Sequence, residues 1–348
     1  MKKVLLGMSG GIDSSVSAIM LLKQGYEVVG ATMKLNDTAE TEKSIQDAKE
    51  VCDKLNIPHY VFDLKNEFKC KVIDKFIDEY KNAKTPNPCV ECNKYLKFGC
   101  FYEKAKELGC EYIATGHYAK TEYSEKYNRY VLKKSNESKK DQTYFLYGIP
   151  KDAIEQIIFP LQEIEEKEEI RKIAQENNLE IAEKKESQEI CFIPNDDYKR
   201  FLQENNIKQK VGNIVLKTGE VLGKHSGLIN YTIGQRKGLG IAYKEPLYVI
   251  ELNREKNEVI VGTEKELYSK TLIANELNWL AFDKLDEDLE CYAKIRYRAK
   301  EAKAIVKPQN NETVEVQFLE PERAITKGQA VVFYDEDGVL LGGGKIII

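Results

Sequence analysis

Short apolar runs alternate with longer stretches of helical periodicity through about residue 118. The apolar runs are rich in β-branched residues and predict strands at residues 2–7, 27–33, 59–63 and 112–116. The stretches between them predict helices at residues 16–24, up to about residue 55, and at 67–82 and 95–108. Strands separated by helices are typical of a parallel sheet with crossover helices, so we expect an α/β fold that begins with a doubly wound sheet.

The texture of the chain changes after residue 118. Residues 119–147 predict a hairpin and a loop followed by a helix-like segment, and the acidic stretch 163–189 predicts a solvated helix face. From about residue 211, short strands punctuated by glycine take over, with a hairpin predicted from residues 302–308 and 313–318. We therefore predict three domains: an α/β sheet domain at 1–202, a small β-rich linker domain at 203–271 and a C-terminal β-barrel at 272–348.

Composition adds the class of protein and its compartment. The chain has 348 residues, with 53 Lys and Arg against 57 Asp and Glu, and eight cysteines spread over its length. So few thiols in so long a chain do not make a secreted disulfide scaffold, which indicates a reducing, cytoplasmic environment. No apolar stretch approaches the roughly 20 residues of a membrane helix, and we expect neither a membrane span nor a signal peptide. The net charge of −4 argues, at first sight, against a nucleic-acid partner.

The first predicted strand runs into the segment Met8-Ser9-Gly10-Gly11-Ile12-Asp13-Ser14-Ser15 and then into a helix. Adjacent glycines let backbone N–H groups converge, and the hydroxyls and the positive end of the helix complete a cradle for an anion. The P-loop pattern fails because no lysine follows the glycines, and the dinucleotide fingerprint fails because the glycines are adjacent. The segment therefore predicts a phosphate-binding loop of another kind, with a chemically silent glycine and serine turn as the alternative.

Three cysteines are candidates for chemistry. Cys89 and Cys92 form a C-x-x-C at what looks like the start of a helix, where the helix dipole is expected to lower a thiol pKa. Cys191 is the third candidate. A structural zinc site would need a second close pair of cysteines, which the sequence does not offer. We expect the remaining cysteines to be small buried residues: Cys52, Cys70, Cys100, Cys110 and Cys291.

Eight segments occur in the order found in one enzyme family. They are SGGIDSS, TPNPC-x-x-CNKYLKFG, YIATGHYA, KKDQTYFLY, ESQEICFIP, YTIGQRKGLGI, IRYR and GQAVVFYDEDGVLLGGG, and they span nearly the whole chain. In this the chain resembles the tRNA-specific 2-thiouridylases, called MnmA in bacteria, a branch of the PP-loop ATPases. The resemblance implies an enzyme that uses ATP with Mg²⁺, and sulfur relayed as a persulfide, to make 2-thiouridine at the wobble position of tRNA.

The same resemblance implies roles for individual residues. Asp13 would lie near the magnesium ion, Cys191 would receive sulfur as a persulfide, and Cys92 would attack it and leave a Cys92–Cys191 disulfide. ATP would be bound by Gly7, Met8, Ser9, Gly10, Gly11, Ile12, Asp13, Ser14, Met33 and Gly116. The flipped target base would face Asn87, Pro88 and Cys89. The rest of the tRNA would contact His117, Lys140, Asp141, Gln142, Arg296, Tyr297 and Gln329.

Cys89 departs from the family pattern, in which many members have an aspartate that has been assigned a role as general base or ligand. A thiol at this position leaves the base unassigned. It also provides three thiols, Cys89, Cys92 and Cys191, that could hold a [4Fe–4S] cluster with one iron open to sulfide. Persulfide relay and cluster-assisted transfer therefore both stand, and we prefer the relay because nothing in one sequence shows iron. Either way, the resemblance implies an upstream sulfur donor, a cysteine desulfurase or a sulfur-relay protein.

Local charge revises the impression of an acidic protein. Residues 222–244 contain four Lys or Arg and no acid, and residues 291–308 contain six Lys or Arg and one Glu, with tyrosines in both segments. Such segments suit RNA phosphates and bases, while a solvated sheet face is the alternative for each. On their own, His117 reads as a satisfied strand-end histidine and Met33 as a core residue.

Two other functions remain open from the residues themselves. One is a PP-loop ligase that adenylates a small molecule and uses an amine nucleophile. The other is a tRNA-binding or sulfur-carrier protein without catalysis.

Overall fold

The computed structural model describes residues 1–136, 140–179, 190–207, 209–310 and 312–348. Among the described residues, the first part of the chain contains the strands β1 (Lys3–Gly7), β2 (Glu27–Lys34), β3 (His59–Asp63), β4 (Tyr112–Ala114), β5 (Lys120–Ser124), β6 (Arg129–Lys133) and β7 (Ile157–Ile158). Five of them make a parallel sheet in the order β3-β2-β1-β4-β7, and β5 pairs with β6 as a separate hairpin. The predicted doubly wound sheet is confirmed. Its edge strand β7 was not predicted because two residues give no periodic signal.

The helices predicted at 16–24, 67–82 and 95–108 begin earlier in the structure. The helices of this part are α1 (Ile12–Lys23), α2 (Ala39–Lys54), α3 (Lys65–Phe68), α4 (Asp74–Lys81), α5 (Pro88–Cys92), α6 (Phe101–Glu107), α7 (Lys167–Glu176) and α8 (Tyr198–Glu204). Helix α1 starts four residues before the predicted position, and its first turns contain the buried Ser15 and Ser17. Their hydroxyls donate to the carbonyls of Gly11 and Asp13, at 2.9 Å and 2.8 Å, so both buried polar groups are satisfied inside the helix.

Two π-helical turns interrupt these helices. Lys69–Ile73 joins α3 to α4, and Asn93–Cys100 joins α5 to α6. The C-x-x-C segment therefore opens a long, irregular helical stretch that begins at Pro88, where the proline at the first position needs no N–H partner. The helix-like segment predicted before residue 147 is a single 3₁₀ turn, Thr143–Phe145. The π-helical widening was not predicted because no periodic pattern encodes it.

The acidic stretch contains α7, which packs against α1. Ile170 and Ala174 are fully buried there, and the charged side chains face outwards. This agrees with an amphipathic surface helix rather than a polar one on all sides. The predicted end of the stretch, residues 180–189, lies outside the described residues.

The rest of the chain is β-structure. A four-stranded sheet contains β8 (Gly212–Leu216), β9 (Val221–His225), β10 (Tyr248–Asn253) and β11 (Glu258–Gly262) in the order β10-β11-β8-β9. The C-terminal strands are β12 (Tyr268–Trp279), β13 (Leu289–Lys294), β14 (Ala302–Pro308), β15 (Val314–Arg323), β16 (Ala330–Tyr334) and β17 (Leu340–Ile346). They close into a barrel in the order β12-β15-β14-β13-β16-β17. The predicted β-rich linker and β-barrel are confirmed, while the boundaries 1–202, 203–271 and 272–348 stay a prediction.

The N-terminal sheet and the barrel share one hydrophobic core. Phe98, Phe101 and Ile157 belong to the same buried cluster as Val332 and Tyr334 of the barrel. The middle sheet has a small core of its own, built around Val249 and Val259. Burial of apolar surface across the sheet–barrel boundary makes that boundary part of the folded core, not a loose linker. Within the described ranges, no helix is both long enough and apolar enough to cross a bilayer.

Candidate functional site

The loop between β1 and α1 lies at the carboxyl edge of the sheet, where β1 separates β2 from β4 and the strand order reverses. Open α/β sheets bind ligands in the crevice at such a switch point. The Met8 N–H donates to the carbonyl of Ala31 at 2.8 Å and so extends the β1–β2 pairing into the loop. A Cβ on Gly10 would lie 2.6 Å from the Ser44 carbonyl oxygen, and its φ is +68°, so only glycine fits.

Hydroxyl groups fold the loop onto the start of α1. Ser14 Oγ accepts a hydrogen bond from the Ser9 N–H at 3.2 Å and donates to the Gly11 carbonyl at 3.0 Å. Gly11 occupies the N-cap position of the 12-residue α1 and has no side chain to satisfy the first-turn amides. Backbone N–H groups at such a helix start favour a bound anion.

Gly116 closes the other side of this crevice. A Cβ there would lie 3.1 Å from both the Asp13 carbonyl carbon and the Ser14 nitrogen. The end of β4 thus approaches the start of α1 backbone to backbone. Asp13 Oδ1 accepts a hydrogen bond from the Tyr118 hydroxyl at 2.9 Å, which fixes this carboxylate at the mouth of the loop. The structure therefore brings together the predicted residues Gly7 to Ser14 and Gly116.

Met33, the remaining predicted ATP residue, stands at the end of β2 and is half-buried. It packs against the sheet–barrel core and also against a second cluster that contains Cys92, Phe68 and Leu96. Met33 therefore lies between the sheet–barrel core and the cluster of Cys92, whereas the loop residues Met8 and Ile12 belong to a different buried cluster.

The three candidate thiols come from two separate segments. Cys89 and Cys92 lie on α5, with Cys89 exposed and Cys92 buried in the apolar cluster, and Cys191 is exposed in a turn after the end of the undescribed stretch. Phe192 anchors that turn, since its ring packs edge-on against Phe68 and Phe76 at 5.6 Å and 5.4 Å between ring centres. All three cysteines are free thiols.

Burial governs the acidity of these thiols. It raises the pKa of Cys191 to about 12, and the neighbouring Cys92 and Cys89 add to the rise. Burial also raises the pKa of Cys89 and of Cys92. Cys89 and Cys191 are exposed as whole residues, although protein atoms surround most of each sulfur. The expected lowering of the thiol pKa by the helix N terminus is therefore wrong, because desolvation outweighs the dipole of a five-residue helix.

Lys97 is a residue that the sequence analysis did not single out. Its positive charge lowers the pKa of Cys89, Cys92 and Cys191 against the effect of burial. Its Nζ lies 3.2 Å from Nε2 of the buried His117. It stands five residues after Cys92 within the π-helical turn, whose wider pitch brings such positions onto one face. The one sequence signal for Lys97 is its place in the family-like segment CNKYLKFG.

His117 is hydrogen-bonded to Lys97 and does not face solvent. Because an ammonium group only donates, Nε2 accepts from Lys97, and Nδ1 then carries the proton towards Thr115 Oγ1 at 2.7 Å. Burial, followed by the charge of Lys97, holds the pKa of His117 well below its usual value. His117 is 9% exposed, so in this conformation it offers tRNA little surface, and its contact with tRNA stays a prediction.

The segment after β6 joins the loop through Tyr118. Lys140 Nζ lies 5.1 Å from the centre of the Tyr118 ring, and Gln142 Oε1 accepts from the Tyr118 N–H at 3.0 Å. Asp141 is buried and accepts from the Thr143 hydroxyl, and burial raises its pKa. Among these predicted tRNA contacts, Lys140 and Gln142 are half-buried and reach solvent, whereas Asp141 is turned inward.

The predicted contacts from the barrel are also engaged with protein. Arg296 donates to the carbonyls of Arg323 and Ala324, the latter at 3.0 Å, and the Tyr297 ring packs on Phe145 at 4.4 Å. Gln329 Nε2 donates to the Thr85 carbonyl at 2.8 Å. Of the three, Gln329 bonds directly to the segment that also contains Asn87, half-buried, and Pro88, buried. In this conformation Gln329 ties that segment to the barrel.

The side chains at the two sites suit Mg²⁺ but do not suit a [4Fe–4S] cluster. Mg²⁺ prefers oxygen ligands and binds through one or two carboxylates plus substrate phosphates, which suits Asp13 at the phosphate loop. For a [4Fe–4S] cluster, the described residues contain no group of three His, Cys, Asp or Glu side chains placed to hold a metal ion, although Cys89, Cys92 and Cys191 are all described. As placed, the three thiols do not fit a cluster.

Known proteins match the chain over its whole length. Three family models cover it: tRNA methyl transferase HUP domain at residues 2–195, tRNA methyl transferase PRC-barrel domain at 199–263 and aminomethyltransferase beta-barrel domain at 269–346. A tRNA-specific 2-thiouridylase MnmA from Clostridioides difficile (strain 630) is 47% identical over 99% of this chain and 98% of its own length. Proteins of the same name from Acetivibrio thermocellus and Clostridium acetobutylicum are 48% and 49% identical, each over 99% of both chains. With near-complete coverage at such identity, the chain belongs to the tRNA-specific 2-thiouridylase family.

Proposed function

We propose that this protein thiolates the wobble uridine of tRNA at C2 of the uracil in an ATP-dependent reaction. The observation that carries the proposal is a short chain of contacts between the phosphate loop at Met8–Ser14 and the three thiols. Gly116 lies against the backbone of Asp13 and Ser14, and the next residue, His117, has Nε2 3.2 Å from Lys97 Nζ. The charge of Lys97 in turn lowers the pKa of each of the three thiols. The named relatives support sulfur as the transferred group rather than methyl, since they match over the full length.

The loop supplies the activation step. A uracil carbonyl oxygen is a poor leaving group, and its attack on the α-phosphate of ATP converts it into part of an AMP ester and releases pyrophosphate. Backbone N–H groups of the loop and the start of α1 stabilise the charge on the departing pyrophosphate. Mg²⁺ bound with Asp13 would neutralise part of that charge. Gly116 allows the close approach of β4 that shapes the cradle.

The thiols supply the sulfur. An upstream donor transfers a sulfur atom to Cys191, which then carries a persulfide with the transferable sulfur outermost. The Cys92 thiolate attacks the inner Cys191 sulfur, the S–S bond to the outer sulfur breaks, and hydrosulfide leaves as the Cys92–Cys191 disulfide forms. Hydrosulfide then attacks the activated C2, and AMP departs with the former oxygen. A reductant that supplies two electrons, such as a dithiol, returns the disulfide to two thiols.

Cys89 has a different role in this scheme from Cys92 and Cys191. Burial raises its pKa, so at neutral pH it is a protonated thiol and a poor general base. We place it with Asn87 and Pro88 beside the target base, which must leave the anticodon stack to be reached. Lys97 favours the thiolate forms of Cys92 and Cys191 that the relay needs.

The decisive experiment is incubation with unmodified tRNA, ATP, Mg²⁺ and a sulfur donor, followed by nucleoside mass spectrometry. We expect 2-thiouridine from the unaltered chain, none from Cys92→Ser or Cys191→Ser, and normal yield from Cys70→Ser. The predicted burial of Cys70 is wrong, since this thiol is exposed on another helical turn. Absence of 2-thiouridine in a competent assay refutes the proposal.

The same variants separate the alternatives. A small-molecule ligase would survive both serine substitutions, and a non-catalytic carrier would survive Asp13→Ala. Anaerobic purification with iron and sulfide analysis tests the cluster mechanism: an iron-free protein that thiolates tRNA excludes it, and an active protein that requires stoichiometric iron overturns the relay.

A further inference from the structure

A line of alternating charges runs from the C-x-x-C helix into the barrel. Glu91, between Cys89 and Cys92, has Oε1 2.8 Å from Lys75 Nζ. Lys75 Nζ lies 3.3 Å from Glu276 Oε2 on β12. Glu276 Oε1 lies 3.5 Å from Lys345 Nζ on β17, which also pairs with the buried Glu79 of α4. A charged side chain of the barrel is thus two ion pairs away from the turn that carries two of the three thiols.

The backbone at Glu276 is unusual. Its φ is +49°, in the left-handed region, and the pairing of β12 with β17 shifts register between Asn275 and Asn278. Bulges of this kind re-aim a side chain, and non-glycine residues at positive φ persist where the surroundings enforce them. Glu276 is therefore turned out of the regular barrel alternation towards the N-terminal domain. A bulge of this sort points to a purpose beyond closing the barrel.

The charge of Glu91 is compensated through this line of ion pairs. Its Oε2 is buried and has no hydrogen-bond partner among the described residues, so Lys75 is the cation that compensates its charge. Burial alone would raise the pKa of Glu276, but Lys345 and Lys75 more than offset it, and the net pKa is lowered. Glu276 is consequently ionised at neutral pH and holds Lys75 between two carboxylates.

The barrel also contacts the segment that precedes this helix, at Thr85. The Thr85 N–H donates to the Lys327 carbonyl at 3.0 Å, and Gln329 Nε2 donates to the Thr85 carbonyl at 2.8 Å. A Cβ on Gly328 would lie 3.0 Å from the Thr85 nitrogen, so the barrel turn sits directly against this segment. The barrel therefore contacts the start of the stretch from Thr85 to Cys92 directly and its end through Lys75.

We propose that Glu276 is a positioning residue: through Lys75 and Glu91, the barrel sets the orientation of the helical turn that presents Cys89 and Cys92. This rests on the proposed function for what the thiols do, but the placement of the turn can be tested without sulfur transfer. The barrel would thus be part of the catalytic apparatus as well as a surface for tRNA.

The test compares Glu276→Gln, which removes the charge and keeps the shape, with Glu290→Gln, an exposed barrel glutamate on β13. Alkylation by iodoacetamide is followed for each cysteine by mass spectrometry in the absence of tRNA and ATP. We expect the rates at Cys89 and Cys92 to change by about threefold or more, the rate at Cys191 to stay within error, and Glu290→Gln to match the unaltered protein. In the thiolation assay kcat should fall about tenfold with KM for tRNA unchanged, because small displacements of reacting groups cost rate steeply.

A second variant guards against a simple loss of folding. Glu276→Asn removes the charge but tolerates positive φ, so the melting temperature should change by no more than roughly 2–3 °C while the alkylation pattern shifts as in Glu276→Gln. Unchanged alkylation at Cys89 and Cys92 in both variants overturns the proposal. A uniform change over all eight cysteines, or a rise in KM for tRNA with kcat unchanged, overturns it as well. If the unaltered protein forms no 2-thiouridine, the proposed function fails, and the alkylation pattern still decides the positioning.

Discussion

The phosphate loop and the thiol site are built in opposite ways. The loop is one continuous segment, Met8–Ser14, closed by hydrogen bonds among its own serines and glycines and by the backbone at Gly116. The thiol site draws Cys89 and Cys92 from one segment and Cys191 from another, roughly a hundred residues further along. It also depends on Lys97, His117 and the barrel for its electrostatics and its support.

The difference shows what kind of chemistry each can perform. Backbone amides at a helix start are fixed as soon as the helix forms, which suits a step that stabilises a charge at one place. Thiols from separate segments can change their distance, which suits a relay in which Cys92 and Cys191 are first free thiols and then bonded. Changes that stiffen or crowd the loop should therefore damage ATP binding, and changes around the thiols should alter sulfur reactivity while ATP binding persists.

The largest expected effect is from Gly116→Val. Even its Cβ would lie 3.1 Å from the backbone of Asp13 and Ser14, and neither is a flexible side chain that can move away. We expect ATP affinity, measured by calorimetry, to fall about 100-fold or more as the crevice is distorted. Gly25→Ala is the control for general destabilisation, because it strains the far end of α1 at a φ of +83° while its Cβ meets nothing within 4 Å. An unchanged ATP affinity in Gly116→Val would show that the loop is not the ATP site.

The second-largest effect is expected at the thiol site, from Lys97→Met. Lys97 lowers the pKa of Cys191 against burial, so its loss should raise that pKa further and leave less thiolate at any fixed pH. A rise of one unit corresponds to about a tenfold lower alkylation rate below the pKa. The pH profile of Cys191 alkylation should move to higher pH in Lys97→Met and return in Lys97→Arg.

Lys94→Met is the control for that measurement, since Lys94 lies on the same helical turn but over the Tyr95 ring at 5.2 Å. ATP affinity should be the same in all three lysine variants. A Cys191 profile that does not move on loss of Lys97 would separate the lysine from the thiols and leave its contact with His117 as purely structural.

The same contrast decides how much could be predicted from sequence. The parallel sheet follows from local alternation, and the loop follows from adjacent glycines between a strand and a helix, so the sequence alone predicts both. Lys97 was missed because the π-helical turn that aligns it with Cys92 leaves no periodic signal. Glu276 was missed because its partners lie on α4 and β17, far apart in the chain. Arg296 was predicted as an RNA contact, whereas its guanidinium donates to two carbonyls.

That placement of Arg296 sharpens the test for tRNA binding and gives the third effect. Charge reversal at Arg296 would disturb the barrel itself, so the exposed Arg236 of the basic segment 222–244 is the better probe. We expect Arg236→Glu to weaken tRNA binding about fivefold and to reduce its salt dependence, because fewer counterions are released. Fluorescence anisotropy over a range of salt concentrations measures both. Equal affinity and an equal salt slope in the variant would remove this segment from the tRNA surface.

The smallest effect is expected at Met33, a predicted ATP residue. Its side chain packs against the sheet–barrel core and against the cluster that contains Cys92. Met33→Leu conserves volume and should lower the free energy of unfolding by less than about 1.5 kcal/mol. KM for ATP should change by about twofold or less, and Cys92 alkylation should stay the same. Met33→Ala removes most of this side chain, and we expect it to raise KM for ATP and to speed Cys92 alkylation together. If only one of the two responds to Met33→Ala, the two sites are not coupled through this side chain, and the loop and the thiol site act as separate units at this position.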